Sequence, residues 1–186
     1  MPVQTTPTTP IRRLLVSVLL SCALLTGAVA CGGDDDTTGA AATHTNSASA
    51  EKQKFAKTRF VANAGLAAGA TYQWIVKPYR EGKFKKGADG RTFALVKAGL
   101  AGTFAYNRLK AAGENAKGDP LLSKAVAPLT AGIDKLKDLG TKLRKGEAGE
   151  GDIASFESVI KDVKEAGRSA GAPVTDKVPS VSQLGG

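Results

Sequence analysis

Histidine, methionine and tryptophan each occur once in these 186 residues, cysteine twice, and the remaining aromatics are six Phe and three Tyr. That shortage excludes a disulfide-rich scaffold, and with 22 glycines out of register for Gly-X-Y it excludes collagen as well. The lone His44 lies in a polar stretch with no ligand or nucleophile nearby, so neither a Ser-His nor a Cys-His pair is expected in a folded body. The Glu-x-x-His sets of bundle di-metal sites are missing, and no Gly-rich phosphate loop follows a strand pattern. The composition therefore points away from an enzyme, and no catalytic residue, metal site or cofactor is expected. Carboxylates such as Asp134, Asp138 and Glu157 read as solvated surface.

Acidic residues are also scarce. The first fifty positions hold only Arg12 and Arg13 against Asp34, Asp35 and Asp36, leaving 24 basic and 14 acidic side chains from Glu51 onward. A body that basic attracts polyanions: nucleic acid, anionic headgroups or acidic wall polymer.

Location narrows the choice. Arg12 and Arg13 precede Leu14 to Ala30, seventeen uncharged and mostly apolar residues, in the order of a charged n-region and an apolar h-region. Apolarity stops at Ala28-Val29-Ala30-Cys31-Gly32-Gly33, and Asp34-Asp35-Asp36 follows. This pattern resembles a bacterial lipoprotein signal, in which small residues before a cysteine form the lipobox, and its Ala- and Gly-rich setting is similar to lipoproteins of high-GC Gram-positive bacteria. The resemblance covers only the first thirty-odd residues. It implies a diacylglycerol on the Cys31 thiol, cleavage between Ala30 and Cys31, fatty acylation of the new amine, and a position on the outer face of the cell membrane. Ala28 stands where Leu is commonest in such signals. Leu19-Leu20-Ser21-Cys22 fits the lipobox letter by letter, but it would leave an apolar stretch behind the cut. Ala28-Val29-Ala30 also fits an ordinary A-x-A site that would release a soluble secreted protein, and the uncut run is at the short limit for a membrane anchor. Arg12-Arg13-Leu14-Leu15-Val16 fits the core of a twin-arginine signal, so the export route stays open. In an exported protein nucleic acid is not an expected partner.

The exported part divides into Cys31 with a flexible linker over 31–50, a helical domain over 51–171 and a flexible tail over 172–186. The linker, as a coil, spans about 25 Å. The fold class is all-α: a small four-helix up-down bundle following the signal peptide and disordered linker. The first helix, near Gln53 to Val76, carries Phe60, Ala64, Ala67, Thr71 and Trp74 on one stripe and closes at Lys77-Pro78. The second, from Arg91 to about Gly113, carries Phe93, Val96, Leu100, Phe104 and Asn107. Asp119-Pro120 is a cap followed by proline at the first helical position. Behind it Leu122, Val126, Leu129, Ile133, Leu136, Gly140 and Leu143 alternate in spacings of four and three, interrupted by Pro128, which kinks or splits the helix. The fourth starts at Asp152, with Ile153, Phe156, Ile160, Val163 and Gly167 inward and Glu157, Lys161 and Glu165 spaced by four on the other face.

Three features invite function. The connection 77–91 holds Lys77, Arg80, Lys83, Lys85, Lys86 and Arg91 against Glu81 and Asp89, with Tyr79 and Phe84 interleaved. It is a candidate contact for anionic lipid or wall polymer, at about 1 kcal/mol per basic residue near an anionic membrane. A first helix of the expected length rises about 36 Å and sets this connection at the end opposite the linker. The alternative is a solvated loop whose aromatics cap the bundle. Second, Tyr72, Trp74, Phe104 and Tyr106 could line a pocket in a small-ligand carrier. Third, Phe60 to Val76, with Gly65-x-x-x-Gly69, is uncharged enough to suggest membrane insertion, although Asn63, Thr71 and Gln73 favour a close helix pair in water.

Overall fold

A computed structural model describes residues 41–185, with side chains from Ser49 onward. The signal segment 1–30, the cleavage pair Ala30 and Cys31, and the first part of the linker lie outside the described residues. Most of those described are helical, joined by turns and irregular segments, with no strand among them.

Helix α1 runs over Ala41–Thr71. It begins twelve residues before the expected start, so the half of the linker that contains His44 is helical in its backbone; alanine and the absence of proline let a helix extend through a stretch with no apolar stripe. Lys77-Pro78 does not close it either. One wide π turn over Tyr72–Val76 carries the chain into α2, Lys77–Arg80, with the Lys77 amide donating to the Tyr72 carbonyl. A proline ring crowds the carbonyl four residues back, and the widened turn gives it room.

Helix α3, Arg91–Ala116, packs against α1. The core face of α1 is the expected one, with Phe60, Ala64 and Ala67 at 1% exposure or less. The face of α3 is not. Of the expected stripe Phe104 is buried and Leu100 half-buried, but Phe93 is 64% and Val96 40% exposed and Asn107 faces water, while Leu95, Ala98, Gly102, Ala105, Leu109, Ala112 and Ala116 are buried. Small residues take most of the interior positions because the helices approach closely where Gly99 and Gly102 meet Gly140. A Cβ on Gly102 would stand 2.9 Å from the Gly140 Cα, and one on Gly99 2.9 Å from the Gly140 carbonyl oxygen.

Gly140 belongs to the broken third rod. Asp119 caps α4, Pro120–Val126, by accepting from the Leu122 amide at 2.9 Å. Pro128 sits in a 3-10 turn over Ala127–Leu129, α5 follows over Thr130–Lys135, and a second break precedes α6, Leu139–Lys145. The expected stripe faces inward despite both breaks, from Leu122 at 0% to Leu143 at 0%, with only Leu129 half-buried. Helix α7, Glu150–Ser169, buries Ile153, Phe156, Val163 and Gly167.

The segment expected to be a flexible tail is bound. Residues 172–180 run extended along α1 and end in the short α8, Val181–Leu184. The Lys177 amide donates to the Gly65 carbonyl at 2.8 Å, and the Trp74 indole donates to the Pro179 carbonyl at 3.3 Å. Pro179 and Leu184 are buried. Gly65 and Gly69 thus open a groove for the tail backbone, not a contact for a second helix. Among the described residues no helix is long and apolar enough to cross a membrane.

Candidate functional site

The connection between α2 and α3 is a wound turn built from its own backbone. Lys83 N donates to the Pro78 carbonyl at 2.9 Å and Lys85 N to the Gly82 carbonyl at 3.1 Å, with Gly82 at the positive φ of 74° that the turn requires. Its two aromatics are not presented to a partner. Tyr79 and Phe84 pack with ring centroids 6.1 Å apart, half-buried against the core, and close this end of the body.

The six basic candidates divide accordingly. Arg91 is half-buried and its Nε donates to the Phe84 carbonyl at 3.0 Å, while Arg80 meets the Glu157 carboxylate of α7 at 2.5 Å. Both hold the turn in place. Lys77, Lys83, Lys85 and Lys86 are exposed, and among the described residues none has a carboxylate within 4.0 Å. Next to them a cleft of about 340 Å³ separates Trp74 from Phe93. Lys97 lies in it, its ammonium 4.0 Å from the Phe93 ring centroid and 5.1 Å from that of Trp74. Sequence reasoning missed Lys97, although its place four residues after Phe93 on one helix face was the signal.

A second cleft, of about 410 Å³, lies among the end of α1, α7 and the bound tail. Ala68, Val76, Ile160 and Val174 supply apolar lining, and the exposed Tyr72 stands at its edge. Thr71 lines it too, with a buried hydroxyl that has no hydrogen-bond partner. The expected spacing of Glu157, Lys161 and Glu165 does not become two ion pairs along α7. Glu157 goes to Arg80, Glu165 to Arg168, and Lys164 reaches Asp176 of the tail at 2.7 Å. The Arg168 guanidinium hydrogen-bonded to it holds the Glu165 carboxyl below its usual range. This cleft was not legible beforehand, because one wall is the tail and the wide turn at its floor has no sequence pattern.

The four aromatics suggested for a carrier pocket do not converge. Tyr72 lines the larger cleft, Trp74 the one beside Phe93, and Phe104 a third near Leu184, while Tyr106 packs against the core. Among the described residues no group of three or more His, Cys, Asp or Glu side chains is placed to hold a metal ion. Comparison with protein-family models, with curated proteins and with solved structures finds no match to this chain.

Proposed function

We propose that this chain is a lipid-anchored lipoprotein on the outer face of a bacterial cell membrane, with a non-catalytic binding or structural role in the envelope. One observation carries the reading: an uncharged apolar run breaks off at a cysteine preceded by Ala28-Val29-Ala30 and followed by Gly-Gly and three aspartates. A lipid on Cys31 gives that thiol a use and fixes the address of the domain, since two or more acyl chains hold a protein stably where one does not. The body is a four-helix up-down arrangement in this reading, with the broken run from Pro120 to Lys145 as its third rod.

The unpaired lysines of the turn support a contact with the phosphate groups of anionic headgroups or of wall polymer. At about 1 kcal/mol per lysine near an anionic bilayer, replacing Lys83, Lys85 and Lys86 together by Ala weakens such binding on the order of a hundredfold. The test is co-sedimentation with anionic liposomes and, separately, with isolated wall polymer, at low and high salt. It uses the chain from residue 31 onward carrying Cys31→Ser, so that neither acyl chains nor the apolar signal segment masks the contact. The reading expects salt-sensitive binding that the triple variant loses. Equal binding by both chains, or none by either, overturns the role of the turn.

A further inference from the structure

Independently of the anchoring and of the basic turn, we infer that the cleft beside Thr71 is a binding site for a small amphipathic monoanion. Three observations meet there. The first is a buried hydroxyl without a partner. Thr71 is only 2% exposed, and a helical threonine ordinarily turns its hydroxyl to the carbonyl four residues back; here it makes no hydrogen bond at all. Buried polar groups left unpaired in a folded protein call for an explanation, and a ligand group bound beside them is one.

The second is the shape of the backbone. The π turn over Tyr72–Val76 starts at the next residue, and such turns inside helices recur at functional sites. It sets Tyr72 at the mouth, 53% exposed, while Val76 lines the interior. At about 410 Å³ the cleft is within the size range of small-molecule sites, and it sets the apolar Ala68, Val76, Ile160 and Val174 beside six charged side chains.

The third is charge. The carboxylates around the rim are each engaged by a base: Glu157 by Arg80, Glu165 by Arg168, Asp176 by Lys164. Lys161 lines the same cleft and has no carboxylate within 4.0 Å among the described residues. One positive charge is left over at the edge of an apolar recess, which suits a ligand with one negative charge and an apolar body. A carboxylate at Lys161 places that body against Ile160 and Val174, and the buried Thr71 hydroxyl turns about its Cα–Cβ bond to meet an oxygen of the ligand.

The test uses the full chain in detergent with 4-(trifluoromethyl)phenylacetate, a water-soluble monoanion, followed by broadening of its fluorine resonance against detergent alone. 4-(Trifluoromethyl)benzylamine, with a similar body and the opposite charge, is the control. The site predicts saturable broadening of the acid and not of the amine, weakened at least tenfold in Lys161→Glu and several-fold in Thr71→Val. Thr71→Val replaces an unpaired hydroxyl by a methyl of the same shape, so its melting temperature should be equal to or above that of the parent. Weaker binding in a chain of undiminished stability separates a ligand role from a structural one. No saturable broadening, equal broadening by acid and amine, or binding unchanged in both variants overturns the inference.

Discussion

Gly69 lies directly against the backbone of Lys177: a Cβ on the glycine would overlap the Lys177 carbonyl and stand 2.7 Å from the Val178 nitrogen. The spacing Gly65-x-x-x-Gly69 is familiar from close helix pairs, but here it seats the non-helical tail of the same chain. The tail in turn forms one wall of the larger cleft and holds the Trp74 indole.

Gly69→Ala should therefore loosen the tail at a cost of about 1–3 kcal/mol, the range for overpacking a close contact. Trp74 fluorescence should shift as the indole loses Pro179, and proteolysis should cut first between Ala172 and Ser180. Gly113→Ala is the control. Nothing lies within 4 Å of a Cβ there, so this helical substitution should stabilise by about 0.5–1 kcal/mol. Both are read by denaturant unfolding.

The crossing of α3 and α6 makes the opposite prediction from the one hydrophobicity suggests. Gly140→Ala would bring a Cβ within 2.8 Å of the Thr103 nitrogen and should cost about 1–3 kcal/mol. Phe93→Ser removes a large aromatic yet should change stability by about 0.5 kcal/mol or less, because the ring is 64% exposed. Urea midpoints of the two variants check the ranking.

That inversion shows where the fold was legible. The stripe from Leu122 to Leu143 could be read because its members other than Gly140 are large, apolar and flanked by charge, so periodicity and burial nearly coincide. On α3 they separate: Phe93 and Val96 outrank glycine and alanine on any hydrophobicity scale, but at a close crossing backbone packing decides, and Leu95, Ala98 and Gly102 go inside. The start at Ala41 was invisible because a helix made of Ala, Thr, Ser and Asn has no apolar face to detect. The tail was misread because Pro173 and Pro179 signal an absence of helix, which differs from an absence of contacts. At the turn, the six basic residues are visible in the sequence as a cluster of charge, but the division between the two structural arginines and the four lysines without a carboxylate partner depends on Phe84 and Glu157, whose placement is tertiary.

Asp119 combines two roles at a buried helix start. Its side chain is 3% exposed, caps α4 through the Leu122 amide and stands 3.7 Å from the Lys57 ammonium. Asp119→Ala should cost about 2 kcal/mol, near the upper end for a lost cap. Asp119→Asn keeps an acceptor for the amide and should recover half or more of that loss in the same unfolding assay.

At the start of α7, Asp152 accepts from the Gly149 amide at 3.0 Å, and this bond, helped by Lys142, lowers its pKa. A carboxylate with a depressed pKa in the folded state contributes stability that is fully present above its ordinary value of about 4 and is lost as pH falls through the lower, folded value. Asp152→Asn should lower the melting temperature at pH 7, by about 0.5–1 kcal/mol of stability. The two melting curves should converge below pH 3. A constant gap from pH 7 to pH 2 would sink the assignment.

The anchoring claim rests on Cys31 and is tested most directly by the intact mass of the protein recovered from its native membrane. The account predicts a chain that begins at Cys31 and is heavier than its polypeptide by a diacylglycerol and, where the amine is acylated, a further fatty acid. A mass equal to the bare chain from Cys31, or to the whole uncut precursor, would contradict it.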